Sequence, residues 1–238
     1  MSTCPPNFTP ALVIVDLQED FCPPSGSLAV PGARATVPHI NGLLALPFRV
    51  KLATQDWHPP SHVSFARNHA GAAPFTGTAV VAHPARADVS YATTLWPVHC
   101  VAGTPGAALV GALHTRLLSA DGLVRKGQDA RVEMYSAFVD PFRWTPAGAV
   151  CESVLEARLR AEGVTDVYVV GLATDYCVKA TAVDAVRLGF RVWAVRDACR
   201  AVGGEEGTRG AEAEMQEAGV GVVGIDGDEV GWVRGLEA

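Results

Sequence analysis

Six short apolar runs punctuate the chain. "PALVIVDLQ" (10–18) is continuous and gives way to Asp16, "FRVKLATQD" (48–56) ends in Asp56, and the weaker "GLVRKG" (122–127) ends at Lys126. "DVYVVGL" (166–172), "FRVWAVRD" (190–197) and "GVGVVGID" (219–226) complete the set. Uninterrupted apolar runs, unlike alternating ones, predict strands buried on both faces. Between most of them the period changes to that of a helix. The expected helices are 33–46 (despite an internal Pro38), 151–163, 175–189 and 204–219. Val154, Leu155 and Leu159 recur at helical spacing, and Gly163 and Gly189 stand where C-terminal stops belong.

Strands alternating with helices predict right-handed crossovers and a three-layer α/β/α architecture, its mainly parallel sheet of about six strands flanked by helices. No repeat or interdomain linker breaks the pattern, so residues 1–238 are expected to form one domain. The stretch 57–105 differs. It is rich in proline, histidine and aromatics with little periodicity, and a long irregular segment in a compact domain is more often functional than idle.

Composition narrows the partners. The net charge of −6 leaves no basic excess to neutralise phosphates, which argues against nucleic acid or an anionic membrane. No apolar run approaches the roughly 20 residues that span a bilayer. Neither "MSTCPPNFTP" nor the terminal "GLEA" reads as a targeting signal, so a cytoplasmic location is expected. The six cysteines are scattered without a C-x-x-C pair, which suits a reducing compartment and thiols that mostly fill the core.

Ligands of open parallel sheets bind beyond the carboxyl ends of the strands. Asp16, Asp56, Lys126 and Cys177 all fall there. Any one of them alone could be ordinary polar punctuation, and a lone cysteine is usually filler. Together they form a set with chemistry. Cys177 sits at a helix start, where free N–H groups and the helix dipole favour a thiolate and can receive an oxyanion. Lys126, one of only three lysines, is expected to keep Asp16 ionised and to stabilise the thiolate. Asp16 can then accept the thiol proton and return it to a leaving amine.

"QDWHPPSHVSFARNH" (55–69) suggests a second centre. Asp56 and His58, two residues apart on an extended segment, point the same way and could begin a divalent-metal site. His62, His69, His83 and His99 are all candidates for a third ligand, and the residues alone do not rank them. Cys100 is a soft-ligand alternative read here as core filler. Phe21, Trp96 and Tyr176 lie near these positions and could wall a flat ring.

The segments "VDLQEDF", "QDWHPPSHVSFARNH", "LWPVHCVAGTPGA", "RKGQDARVEMYSAF" and "GLATDYCVKATAVDA" resemble the nicotinamidases (pyrazinamidases) of the isochorismatase-like cysteine hydrolases, in order and over nearly the whole chain. The WPVHC segment is most similar to the fungal-type branch. The resemblance implies Asp16, Lys126 and Cys177 as a catalytic triad. It also implies Asp56, His58 and His99 as ligands of one divalent ion, zinc foremost, with iron or manganese as alternatives. It further implies oxyanion donors at Ala173 and Cys177, a cis peptide at Leu172–Ala173, and a ring pocket of Phe21, Trp96 and Tyr176. Asp175 stands where some relatives carry Glu, with little consequence expected. The implied reaction is hydrolysis of nicotinamide, or of pyrazinamide, through a cysteine thioester, in a family whose members vary in oligomeric state, homo-oligomers among them. Amide or ureido hydrolysis of another small substrate, a non-catalytic sensor, and a thiol redox protein are weaker readings, the last because no resolving cysteine lies near Cys177.

Overall fold

The computed structural model describes residues 3–236. The six apolar runs become the six strands of one parallel sheet: β1 (Pro10–Val15), β2 (Val50–Asp56), β5 (Leu123–Lys126), β6 (Asp166–Leu172), β7 (Arg191–Arg200) and β8 (Gly221–Val223). Their spatial order is β5-β2-β1-β6-β7-β8. β1 and β6, at the centre, are buried along their full length, as their unbroken apolar sequences require.

The chain moves one way from β1 through α1 (Val37–Leu44) to β2. It moves the other way from β6 through α3 (Lys179–Arg187) to β7 and through α4 (Gly204–Glu217) to β8. With right-handed crossovers, opposite directions place helices on opposite faces. The reversal falls between β1 and β6, and the crevice beyond their carboxyl ends is where such sheets bind ligands. Asp16 and the Cys177 turn leave the sheet at this point.

Several boundaries depart from the periodic reading. Pro38 lies in the first turn of α1, where its missing N–H costs nothing; the preceding residues 33–36 form a 3₁₀ turn. The expected helix 151–163 is regular only over α2 (Leu155–Ala161). Upstream, Asp140 captures the backbone: its Oδ2 accepts from Val150 N and Cys151 N at 2.6 and 2.5 Å, holding that segment out of the helix.

The irregular 57–105 stretch contains an antiparallel hairpin, β3 (Thr78–His83) with β4 (Arg86–Thr94), that the periodicity did not announce. It lies apart from the main sheet, and most of its side chains are exposed or half-buried, so little apolar alternation marks it. A C-terminal helix, α5 (Asp228–Arg234), was also unanticipated; Asp228 and Glu229 in its first turn are the signal for it. Among the described residues, no helix is long and apolar enough to cross a membrane.

Candidate active site and metal centre

Lys126 is the hub. It ends β5 fully buried, and its Nζ reaches Asp56 Oδ1 at 2.6 Å, Asp16 Oδ2 at 3.0 Å, Met134 O at 3.1 Å and Cys177 Sγ at 3.5 Å. Four groups from distant parts of the chain therefore meet at one ammonium. Burial pulls its pKa down, but the two carboxylates and Cys177 outweigh burial and hold it well above the ordinary lysine value.

Asp16 occupies the left-handed region (φ 48°), a conformation that Asp tolerates better than most residues. Thr54 fixes it: the hydroxyl accepts from Asp16 N at 3.0 Å and donates to Asp16 Oδ1 at 2.5 Å. Oδ2 has an ionic contact with Lys126 but no hydrogen bond, which leaves a buried acceptor uncommitted. Burial raises the Asp16 carboxyl to about 6, with Lys126 opposing and Asp56 adding to the rise. Lys126 thus only partly offsets the desolvation of Asp16, a weaker effect than the sequence suggested.

Cys177 is buried on a π-helical turn, Thr174–Val178, that leads into α3. The expected α-helical start is replaced by bonds from Tyr176 N and Val178 N that both close on Ala173 O. The Leu172–Ala173 peptide is cis, as the resemblance implied. Burial pushes the thiol well above its usual range, against the pull of Lys126. The sequence had suggested a stabilised thiolate. The buried site instead favours a thiol that must lose its proton to a neighbour, and Asp16, Asp56 and Cys177 offer ligand atoms within 4.8 Å of one another.

Beside this cluster, Asp56, His58 and His99 bring one ligand atom each within 4.8 Å of the others. His58 Nδ1 meets Gly127 O at 2.7 Å, and its buried Nε2 has no hydrogen-bond partner but lies 3.5 Å from Asp56 Oδ2. Burial pulls the imidazole pKa down, but Asp56 outweighs burial and raises it, so a bound cation would take the place of that proton. His99 Nδ1 likewise meets Pro97 O at 2.7 Å, and burial, with the charge of His58, lowers its pKa to about 4, so that it is neutral. Burial pushes Asp56 up, but Lys126 and His58 dominate and keep it ionised. One carboxylate and two imidazoles, each with a ligand atom in reach of the others, fit a divalent ion.

The other histidines are committed elsewhere. His62 Nδ1 meets Ser64 and its Nε2 meets Val132 O, so its place in a second cluster with His58 and Glu133 would require breaking those bonds. His69 donates to Val63 O, and His83 lies in the hairpin, its Nδ1 accepting from Ala85 N. Cys100 is buried core, as expected, and its backbone ties the histidine loop down: its O accepts from His58 N and its N donates to Asp20 Oδ2.

Phe21, Trp96 and Tyr176 line one pocket with Asp56, His99, Ala173 and Cys177. Trp96 and Tyr176 meet edge to face with centroids 4.7 Å apart. Sequence reasoning missed four further lining residues: Leu28, Glu133, Tyr135 and Val202. Glu133 and Tyr135 lie inside a motif already noted. Tyr135 OH accepts from Trp96 Nε1 at 3.0 Å. Gln18 was missed as well; its amide brackets the Asp56 backbone, accepting from Asp56 N and donating to Asp56 O. A wider surface groove beside α3, lined by Trp144, Asp184 and Arg187, contains neither cysteine nor histidine.

An acid and a thiol that both touch one buried amine thus lie beside a trio of candidate metal ligands and a slot of aromatic rings. Residues 10–226 match the isochorismatase domain, and the chain belongs to that family. Its relatives include the nicotinamidase of Acinetobacter baylyi, 40% identical over 88% of this chain and 90% of that one. The yeast nicotinamidase bound to the inhibitor nicotinaldehyde superposes with a TM-score of 0.82 at 32% identity, covering 90% of this chain and 99% of that one. The pyrazinamidase of Pyrococcus horikoshii in complex with zinc gives 0.68 at 32% identity, over 91% and 99%. Bacterial and fungal relatives thus both match over most of their length.

Proposed function

We propose that this protein is a nicotinamidase: it hydrolyses nicotinamide to nicotinate and ammonia through a thioester on Cys177. The observation that carries the reading is the single buried ammonium of Lys126 in contact with Asp16, Asp56 and Cys177.

The aromatic slot of Phe21, Trp96 and Tyr176 takes the pyridine ring and presents the carboxamide to Cys177. Asp16, with Oδ2 uncommitted, removes the thiol proton as sulfur attacks the carbonyl carbon. The N–H groups of Ala173 and Cys177 receive the resulting oxyanion. Collapse breaks the C–N bond, and Asp16 gives its proton to the departing nitrogen, releasing ammonia. Asp16 then takes a proton from water as its oxygen attacks the thioester. The C–S bond breaks, the thiol is reprotonated and nicotinate leaves. Lys126 remains charged throughout and keeps the two carboxylates from repelling each other.

Asp56, His58 and His99 would hold a divalent ion, with zinc the first choice given the zinc-bound relative and iron or manganese the alternatives. Such an ion would supply Lewis-acid character beside the ring slot, next to His99 and Asp56. A reducing compartment such as the cytoplasm suits the free thiols.

The test is product analysis on nicotinamide, pyrazinamide, and an aliphatic amide and a ureido compound of similar size. Nicotinate and ammonia in equal amounts, with the aliphatic and ureido compounds poorly used, are the expected result. Preference for either non-aromatic compound would overturn the reading.

A further inference from the structure

Val202 lines the same cavity as Cys177 and the aromatic trio, yet it comes from the β7–α4 loop and not from the nucleophile turn. One side chain joins the two. Asp175, two residues before Cys177, accepts from Val202 N on Oδ1 at 3.0 Å and from Gly203 N on Oδ2 at 2.9 Å. The carboxylate thus serves as the loop's backbone acceptor, with one oxygen for each donor.

The seat is built to its size. A Cβ on Gly207, in the first turn of α4, would lie 2.7 Å from Asp175 Oδ2, and one on Gly203 would lie 3.3 Å from it. Both positions are glycine, so α4 approaches the nucleophile turn to within the reach of a short acid. Asp175 in place of the Glu of some relatives was expected to matter little because the side chain lies outside the triad, but its contacts give it a different task. Its carboxylate is committed to the loop that carries a pocket wall.

We propose that Asp175 is a positioning residue for substrate binding: it locks Val202 against the ring slot, so that the wall on the β7–α4 loop and the nucleophile turn grip the substrate as one unit. Asp175 touches neither substrate nor the reacting atoms; it acts through Val202. This deepens the nicotinamidase reading and rests on it.

Four variants test it: Asp175→Asn, Gly207→Ala, Val202→Ala, and Asp175→Asn with Val202→Ala. An Asn oxygen can accept from only one of the two N–H groups, and its amide faces the other. With a hydrogen bond to a charged group lost, KM for nicotinamide should rise about tenfold in Asp175→Asn while kcat stays within roughly threefold. Gly207→Ala should reproduce that rise with the carboxylate intact, and it carries the test if Asp175→Asn folds poorly. Because Asp175 acts through Val202, its substitution should add little once Val202 is truncated, so the double variant's KM should match the worse single variant. KM effects that multiply, or a fall in kcat at unchanged KM, would overturn the proposal. Absence of nicotinamide turnover in the wild type would instead overturn the underlying reading, and this inference with it.

Discussion

Lys126 Nζ donates to Asp56 Oδ1 at 2.6 Å, so the cation of the nucleophile cluster is also bound to the carboxylate of the metal trio. The two centres share an atom pair and should fail together. Lys126→Met leaves Asp16 and Asp56 buried without their cation. Breaking a buried ion pair from one side costs about 3–5 kcal/mol, which urea unfolding should register in the metal-free protein. A divalent ion should recover part of that loss by supplying positive charge to Asp56. Unchanged stability would mean that the ammonium does not offset the carboxylates.

Gly127 follows Lys126 at φ +64°, and a Cβ there would lie 2.4 Å from His58 Cε1. Gly127→Ala must therefore displace the imidazole whose Nε2 completes the trio. Metal content after equilibrium dialysis should drop from near one ion per chain to well below half. His99→Ala should do the same by removing a ligand outright. Full metal content in both variants would remove Asp56, His58 and His99 as the site.

Tyr135→Phe removes the acceptor of the Trp96 indole N–H without changing the ring. An orphaned buried donor costs about 1–3 kcal/mol, so the indole should shift or loosen. The expected result is a severalfold higher KM with kcat nearly preserved, and a thermal midpoint lowered by a few degrees. Wild-type KM would show that Trp96 holds its pose without Tyr135.

Asp184 lies on α3, away from the nucleophile, and burial raises its pKa, opposed by hydrogen bonds from Ser136 and the charge of Arg187. Its folded pKa exceeds its unfolded one, so the folded state holds more protons in the window between them. Stability then falls as pH rises through that window and stays level above it. Asp184→Asn lacks this titration. The wild type should lose stability relative to the variant as pH is raised from about 3.5 toward neutrality, as denaturant midpoints can report. The opposite slope would contradict a raised pKa.

The catalytic and metal candidates were legible because a parallel sheet delivers them simply. Asp16, Asp56 and Lys126 are polar residues at the ends of apolar runs, and such ends converge on one crevice. Cys177 marked the next such end. The third metal ligand was not legible from spacing, since His62, His69, His83 and His99 differ only in what their ring nitrogens meet; the family resemblance named His99. The missed features share a cause. Asp140 replacing the start of α2, Gln18 bracketing Asp56 and Asp175 seating the Val202 loop are side chains bonded to backbone far along the chain. No local period encodes such pairings. The β3–β4 hairpin escaped because, with few buried side chains, it offers little hydrophobic pattern to read.

The central claim is that Cys177 attacks nicotinamide beside a metal site that supports the same substrate. It is tested most directly by measuring ammonia release from nicotinamide with the wild type, with Cys177→Ala, and with chelator-treated wild type before and after divalent metal is restored. The account predicts turnover by the wild type, none above background by Cys177→Ala, and a loss on chelation that added metal reverses. Full activity in Cys177→Ala would contradict it.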